Sequence, residues 1–370
     1  MENNKNNILI SRCYEIFLAA IHSRTFPGAA MAVSWGPPGK RKRIIQTYGH
    51  TTYSQENPVH KGTVYDLASL TKPLATTLAI LVLLKERRLQ LSDLVADIFP
   101  QTGPSRGGIS IRDLLCHSAG FPAHQPYYLE LSRLAEEKRK AALLSLLAAE
   151  PQAYEPGSAS IYSDLGFMLL GLIVEKKSGL ELAEFFREKI TEPLGLAEGI
   201  FYDPAGSGDT EKYAPTEECP LRQRILRGEV SDENAHALGG AAGHAGLFGT
   251  IGGVLEMGVH LLDQWQGGEE HPNYLASDLR RFLTRQDIPG STWALGFDTP
   301  SRTGSSGGGY LAPTSVGHLG FTGTSFWIDP TRDLVVVLLS NRVHPSRENS
   351  RIKQFRPLFH ETVMESLGLV

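Results

Sequence analysis

Cysteine is scarce. The chain carries only Cys13, Cys116 and Cys219 in 370 residues. An odd number of widely spaced thiols argues against a disulfide framework and against a cysteine metal site. An excess of positive charge is also missing. Lys and Arg total 36 against 40 Asp and Glu, for a formal net charge of −4. No basic field is therefore available to hold nucleic acid or an anionic membrane. Long apolar runs are missing too. The most apolar stretch, residues 78–84, falls far short of the roughly 20 residues needed to span a bilayer. The first 24 residues contain Ile8, Ile10, Phe17, Leu18 and Ile21, interrupted by Arg12, Glu15 and His22. A secretory leader needs an uninterrupted apolar core, so this segment reads as an amphipathic helix. The expected location is cytoplasmic, or secreted if a leader preceded Met1. Internal repeats and low-complexity segments are not evident. Apolar residues at 41% and charged residues at 21% are ordinary for a globular chain. At about 150 residues per domain the length allows two domains or one large one.

The pattern of elements changes along the chain. After the first helix, residues 29–35 and 44–48 read as a strand pair, broken by Pro37, Pro38 and Gly39. A long helix is expected over residues 69–88, with Leu74, Leu78, Leu81 and Leu84 at helical spacing. Pro73 places its first turn, so Ser69 lies at or beside its N-terminus. Helices are expected at 111–116, 129–149, 164–177 and 182–189, followed by a loop-rich stretch at 198–228. A helix at 253–265, strands at 293–297, 318–322, 324–328 and 334–340, and a last helix at 352–367 complete the chain. This order predicts an α+β protein. Residues 1–95 and 240–370 form a sheet domain from both chain ends, and residues 96–239 form a mostly helical insertion.

Three short segments could carry chemistry. In Ser69-Leu70-Thr71-Lys72, residues three apart share a helix face, so the hydroxyl and the amine can meet. Serine needs a base, and a neutral lysine can serve if burial and the positive helix end depress its pKa. Taken alone, SxxK also occurs by chance in helices. In Tyr162-Ser163-Asp164, Ser163 or Asp164 can be merely the N-cap of the next helix. Alternatively, Tyr162 faces Ser69 and moves its proton, with a neighbouring ammonium favouring the phenolate. The segment His318-Leu319-Gly320-Phe321-Thr322-Gly323-Thr324 reads as a glycine-containing strand. It is either a plain edge strand or one whose N–H groups meet a substrate or a developing oxyanion.

Together, and in this order, the three segments resemble the serine β-lactamase and penicillin-binding protein superfamily, on its class C-like side. Segments 114–120 and 154–158 also resemble that family's framework, and the likeness runs from Pro27 to the last helix. The resemblance implies an α/β sandwich: an antiparallel sheet flanked by helices, with an inserted all-helical domain. It implies Ser69 as the acylated nucleophile, with Lys72 and Tyr162 shuttling its proton. The backbone N–H groups of Ser69 and Phe321 would form the oxyanion hole. Asp164, His318 and Gly320 would meet the substrate, and no cofactor is implied.

Two departures narrow the activity. His318 stands where many members carry the lysine of KTG, and an unperturbed histidine is mostly neutral at pH 7. Asp164 replaces an asparagine, and an aspartate beside Lys72 stabilises the ammonium and shifts the base role toward Tyr162. Both changes argue against an efficient β-lactamase. Residues 228–248, containing Ser231-Asp232-Glu233-Asn234-Ala235 and Gly243-His244-Ala245-Gly246, look like a block of esterase or muropeptide amidase members. His236 and His244 are eight apart with no helix to align them, so no metal is expected. The resulting expectation is a metal-independent serine hydrolase acting through an acyl-enzyme on a small ester, amide or peptidoglycan fragment. The alternatives are a true β-lactamase and a penicillin-binding or sensor protein without turnover.

Overall fold

A computed structural model describes residues 2–103, 108–203, 210–268 and 271–370. Part of the loop-rich stretch at 198–228, residues 204–209, lies outside them. The chain opens with α1 (Glu2–His22) and the hairpin β1 (Gly28–Trp35) and β2 (Lys42–Gly49), followed by β3 (Tyr65–Asp66). Helices α2 (Leu78–Lys85), α3 (Val95–Ile98), α4 (Ile111–Leu115), α5 (Tyr128–Leu131), α6 (Glu136–Ala149), α7 (Asp164–Ser178) and α8 (Leu182–Phe186) come next. The same stretch of chain then carries β4 (Ile200–Tyr202), the short pair β5 (Glu218–Cys219) and β6 (Arg224–Ile225), and α9 (Glu233–Ala237). The last part holds β7 (Leu247–Gly249), α10 (Ile251–Trp265), α11 (Ala276–Phe282), β8 (Val316–Leu319), β9 (Ser325–Asp329), β10 (Leu334–Ser340) and α12 (Ile352–Leu367).

Strands from both chain ends make one five-stranded antiparallel sheet in the order β2-β1-β10-β9-β8. Its central strands are apolar on both faces, because helices cover both. In β1, Ala30 and Ala32 join the core shared with α2, α7 and α10, while Ala29, Met31 and Val33 join the core under α1 and α12. β10 divides in the same way: Val335, Val337 and Leu339 point to one side, and Leu334, Val336 and Leu338 to the other. The two-residue period of a strand produces this split. A second sheet, β3-β7-β4, ties the first half of the chain to the segment after α9.

Several elements depart from the expected pattern. The single helix at 69–88 is three pieces: a 3-10 turn Ala68–Leu70, a π-helical turn Lys72–Thr77, and α2. Residues 129–149 are two helices, and 182–189 is α8 followed by a π-helical turn Arg187–Thr191. Residues 293–297 form no strand, only a bridge between Trp293 and Asp298, because Gly296 turns the chain at φ +82°. The strand expected at 318–322 ends at Leu319, and a turn with Gly323 at φ +115° leads into β9. The stretch Ala68–Lys85 is long and apolar enough to cross a membrane by composition alone, yet 78% of it is buried inside the fold.

Candidate active site

The sharp turn after β3 presents Ser69. Ala68 sits at φ +48°, a costly conformation for a residue with a Cβ. The carboxylate of Asp66 holds it there. One oxygen accepts the Ala68 N–H at 2.8 Å, and the other accepts the Ser231 N–H at 2.8 Å. Burial pushes this carboxyl up to about 7, and the Glu217 and Asp232 carboxylates add to the rise. Thr71 donates to the Ala68 carbonyl at 2.6 Å and accepts the Leu247 N–H at 3.1 Å, tying the turn to β7.

The π-helical turn brings Lys72 back under Ser69. Lys72 is fully buried. Its Nζ donates to Ser69 Oγ at 3.0 Å, Asp164 Oδ1 at 2.7 Å and the His244 carbonyl at 3.1 Å. Burial pulls its pKa down, but the Asp164 charge and the Tyr162 oxygen outweigh it, and the net shift is upward. The neutral lysine that the SxxK spacing allowed is thus disfavoured, and the ammonium is the resting form.

Asp164 occupies the first turn of α7. Ser163 is the N-cap: its Oγ accepts from Leu165 N at 3.2 Å and donates to the Pro122 carbonyl at 2.6 Å. The cap role thus falls to Ser163, which frees Asp164 for Lys72. Burial alone raises the Asp164 pKa, yet Lys72, His124 and His244 hold it well below the usual carboxylate range. His124 reaches the second Asp164 oxygen at 3.5 Å.

Tyr162, one residue before the cap, turns toward Ser69 and Lys72: the Lys72 Nζ lies 4.9 Å from its ring centroid, and both side chains act on its hydroxyl. Burial raises its pKa above the ordinary tyrosine value, and Lys72 opposes the rise. Its ring stacks on Trp293 at 5.3 Å between centroids and leans on His117 at 4.8 Å. The Nδ1 of His117 accepts the Ser163 N–H at 3.1 Å, fixing the backbone next to Tyr162.

The β8–β9 turn forms the opposite wall. Thr322 and Thr324 donate to the carbonyls of Asp66 and Leu67 at 2.7 and 3.1 Å. From behind, Arg356 donates to the Gly320 and Thr324 carbonyls at 2.6 and 2.8 Å. These bonds hold Gly320 and Phe321 against the Ser69 turn. His318 precedes them and is 2% exposed. Ser69, Tyr162, Asp164, His318, Gly320 and Phe321 all border one cleft of ≈ 660 Å³. With Lys72 bonded beneath Ser69, the residues expected to act on or meet a substrate come together in one place, whereas His236 does not join them.

Asp66, His117, His124, Trp293 and Arg356 were not anticipated. Asp66 stood three residues before Ser69, but proximity alone is no signal, and the others become neighbours only by folding. His236 and His244 engage separate carboxylates: His244 Nε2 lies 2.8 Å from Asp232, and His236 Nδ1 lies 4.0 Å from Glu229. Among the described residues no cluster of three or more His, Cys, Asp or Glu side chains could hold a metal ion.

A serine and a tyrosine bordering a cleft, joined by a buried lysine at the edge of an antiparallel sheet, define a serine hydrolase of the β-lactamase fold. The chain belongs to the Beta-lactamase family, which it matches over residues 15–358. It is 33% identical over 313 residues to a putative D-alanyl-D-alanine carboxypeptidase of Escherichia coli (strain K12), covering 78% of this chain and 72% of that one. A Salmonella agona protein of the same description is 30% identical over 312 residues, with the same coverage. Among solved structures, the fold is shared with EstCE1, a hydrolase with promiscuous acyltransferase activity. That match has a TM-score of 0.75 and 23% identity, covering 96% of this chain and 98% of that one. Simvastatin synthase (LovD) from Aspergillus terreus matches with a TM-score of 0.72 and 18% identity, covering 97% and 98%.

Proposed function

We propose that the protein cleaves ester or amide bonds of small substrates through an acyl-enzyme on Ser69, as a carboxylesterase or a muropeptide amidase or peptidase. The observation that carries this reading is the 3.0 Å contact of Ser69 Oγ with Lys72 Nζ, with the Tyr162 hydroxyl in reach of both. Ser69 Oγ attacks the acyl carbon, and its proton passes to the Tyr162 oxygen. Tyr162 acts as the base through its phenolate, a minor form that burial disfavours and the Lys72 ammonium favours at close range. The bond to the leaving oxygen or nitrogen breaks, and Tyr162 returns the proton to that atom. Water then cleaves the Ser69 ester by the same route and releases the free acid. The N–H groups of Ser69 and Phe321 hold the oxyanion. A neutral His318 offers no permanent cation for the carboxylate of a penicillin, which favours esters and amides over β-lactams.

Intact-mass spectrometry over time with p-nitrophenyl acetate and with benzylpenicillin tests the assignment. An acyl adduct is expected on the wild type and not on Ser69→Ala, and it should turn over with the ester. Full hydrolysis by Ser69→Ala would sink the assignment. An adduct that never leaves would mark a binding protein without turnover, and rapid release of opened penicillin would mark a β-lactamase. Lys72→Ala and Tyr162→Phe should each lower kcat/KM by orders of magnitude, and the double variant by little more, because the two act as one unit. Additive losses in steady-state ester kinetics would separate their roles.

A further inference from the structure

His124 has no place in the proton transfers, yet it shares a carboxylate with Lys72. Its loop is fixed on two sides. The Asp164 N–H donates to the Ala123 carbonyl at 3.0 Å, and Ser163 Oγ donates to the Pro122 carbonyl at 2.6 Å. From α9, Asn234 Nδ2 donates to the Gln125 carbonyl at 2.9 Å. These bonds set His124 Nδ1 3.5 Å from Asp164 Oδ2, while Lys72 Nζ donates to Oδ1 of the same carboxylate at 2.7 Å. Exposure rises along this chain of charges: the Lys72 side chain is 0% exposed, Asp164 19% and His124 47%. His124 is thus the end at which the buried ion pair meets solvent, and it borders the cleft.

The groups that face the ring favour its protonated form. Asp164 raises the His124 pKa most, burial opposes the rise, and Asp232 and Glu233 at the start of α9 add to it. Those two carboxylates have partners of their own: His244 lies 2.8 Å from Asp232, and Arg347 lies 2.8 Å from Glu233. An imidazolium beside one Asp164 oxygen offsets the negative charge that the other shows to Lys72 and Tyr162. Both groups therefore release a proton more readily when His124 is charged than when it is neutral or absent.

We propose that His124 is a positioning residue that tunes the base: acting through Asp164, its charge loosens the hold of that carboxylate on the protons of Lys72 and Tyr162. This role rests on the acyl-enzyme reading and adds a control on its proton step. The effect on rate has a definite sign. Removing the imidazole makes proton removal harder, the reverse of removing the Asp164 charge. A fixed cation in its place keeps proton removal easy at every pH.

The kcat/KM–pH profile for p-nitrophenyl acetate, followed at the isosbestic wavelength of the released nitrophenol, tests this in the wild type, His124→Ala and His124→Lys. His124→Ala should move the acid limb to higher pH by about one unit, so that kcat/KM at a fixed pH on the limb falls roughly tenfold. His124→Lys should keep the limb at or below its wild-type position. NMR titration of the His124 ring gives a second reading that needs no turnover: its pKa should lie above the ordinary histidine value and fall in Asp164→Asn. A lowered plateau with an unmoved limb in His124→Ala marks a merely structural role and overturns the proposal. So does a limb in His124→Lys that rises with that of His124→Ala, or a ring that titrates in the wild type as an ordinary histidine. Hydrolysis that persists in Ser69→Ala removes the acyl-enzyme reading, whereas Ser69-dependent hydrolysis with an unmoved limb removes the His124 proposal alone. No ester hydrolysis by the wild type removes both.

Discussion

Opposing effects meet on Lys72. Full burial favours the neutral amine, while Asp164 at 2.7 Å favours the ammonium, and the ion pair wins. The same carboxylate raises the Tyr162 pKa, whereas the Lys72 ammonium lowers it. Asp164 thus makes proton removal harder at both candidate bases. Replacing it with asparagine lowers both pKa values, so the basic form appears at lower pH. For Asp164→Asn, the acid limb of the kcat/KM–pH profile for an ester should move to lower pH. An unchanged limb would uncouple Asp164 from the base. Part of this chemistry is legible in the sequence: an aspartate following Tyr162 and Ser163 at a helix start is a visible departure. Which protonation state results is not legible, because it depends on the 2.7 Å approach and on the exclusion of water.

At the scale of elements, the site is a junction between the Ser69 turn and the β8–β9 turn. Thr322, Thr324 and Arg356 fasten the two. Gly320 allows the contact. A Cβ there would lie 1.9 Å from Thr324 Oγ1 and 2.6 Å from the Leu67 carbonyl oxygen. The carbonyl belongs to the backbone just before Ser69 and cannot step aside. Gly320→Ala should therefore move the Phe321 N–H, one of the two proposed oxyanion donors, away from Ser69. A displacement near 1 Å costs on the order of 100-fold in rate. Ester kinetics should show that loss with only a small change in melting temperature, and near-normal kcat/KM would show that the turn is not held this tightly. Periodicity anticipated the helices α7, α10 and α12 closely. It missed the break of 69–88 into a 3-10 turn, a π-helical turn and α2. The apolar spacing there continues unbroken, and only the Asp66 tether and the strained Ala68 impose the tighter start.

Across the whole molecule, the packing under α1 stands apart from the cleft, which the start of α12 reaches through Ile352, Lys353 and Arg356. The face under α1 and α12 is dense in aromatic rings. Phe17 is fully buried, stacks on Tyr48 at 4.3 Å, and meets Phe355 and Phe359 edge-on at 5.0 and 5.5 Å. None of the described α1 residues lines the cleft. Phe17→Ala should cost ~3–5 kcal/mol of stability, as large-to-small changes in a packed core do. A chemical denaturation curve should show that loss, while kcat/KM of the folded fraction stays at the wild-type value; a matching fall in kcat/KM would mean that the two faces are coupled. The sequence by itself determined the residue types available for catalysis, the order of strands and helices, and the return of the chain end to the sheet. These follow from local chemistry and from the two-residue and 3.6-residue periods of buried faces. Only the tertiary structure decided that β1 pairs with β10, that Lys72 is charged, and that burial holds His318 neutral. Each of those depends on atoms far apart in the chain being brought together and shielded from water, and no local pattern encodes that.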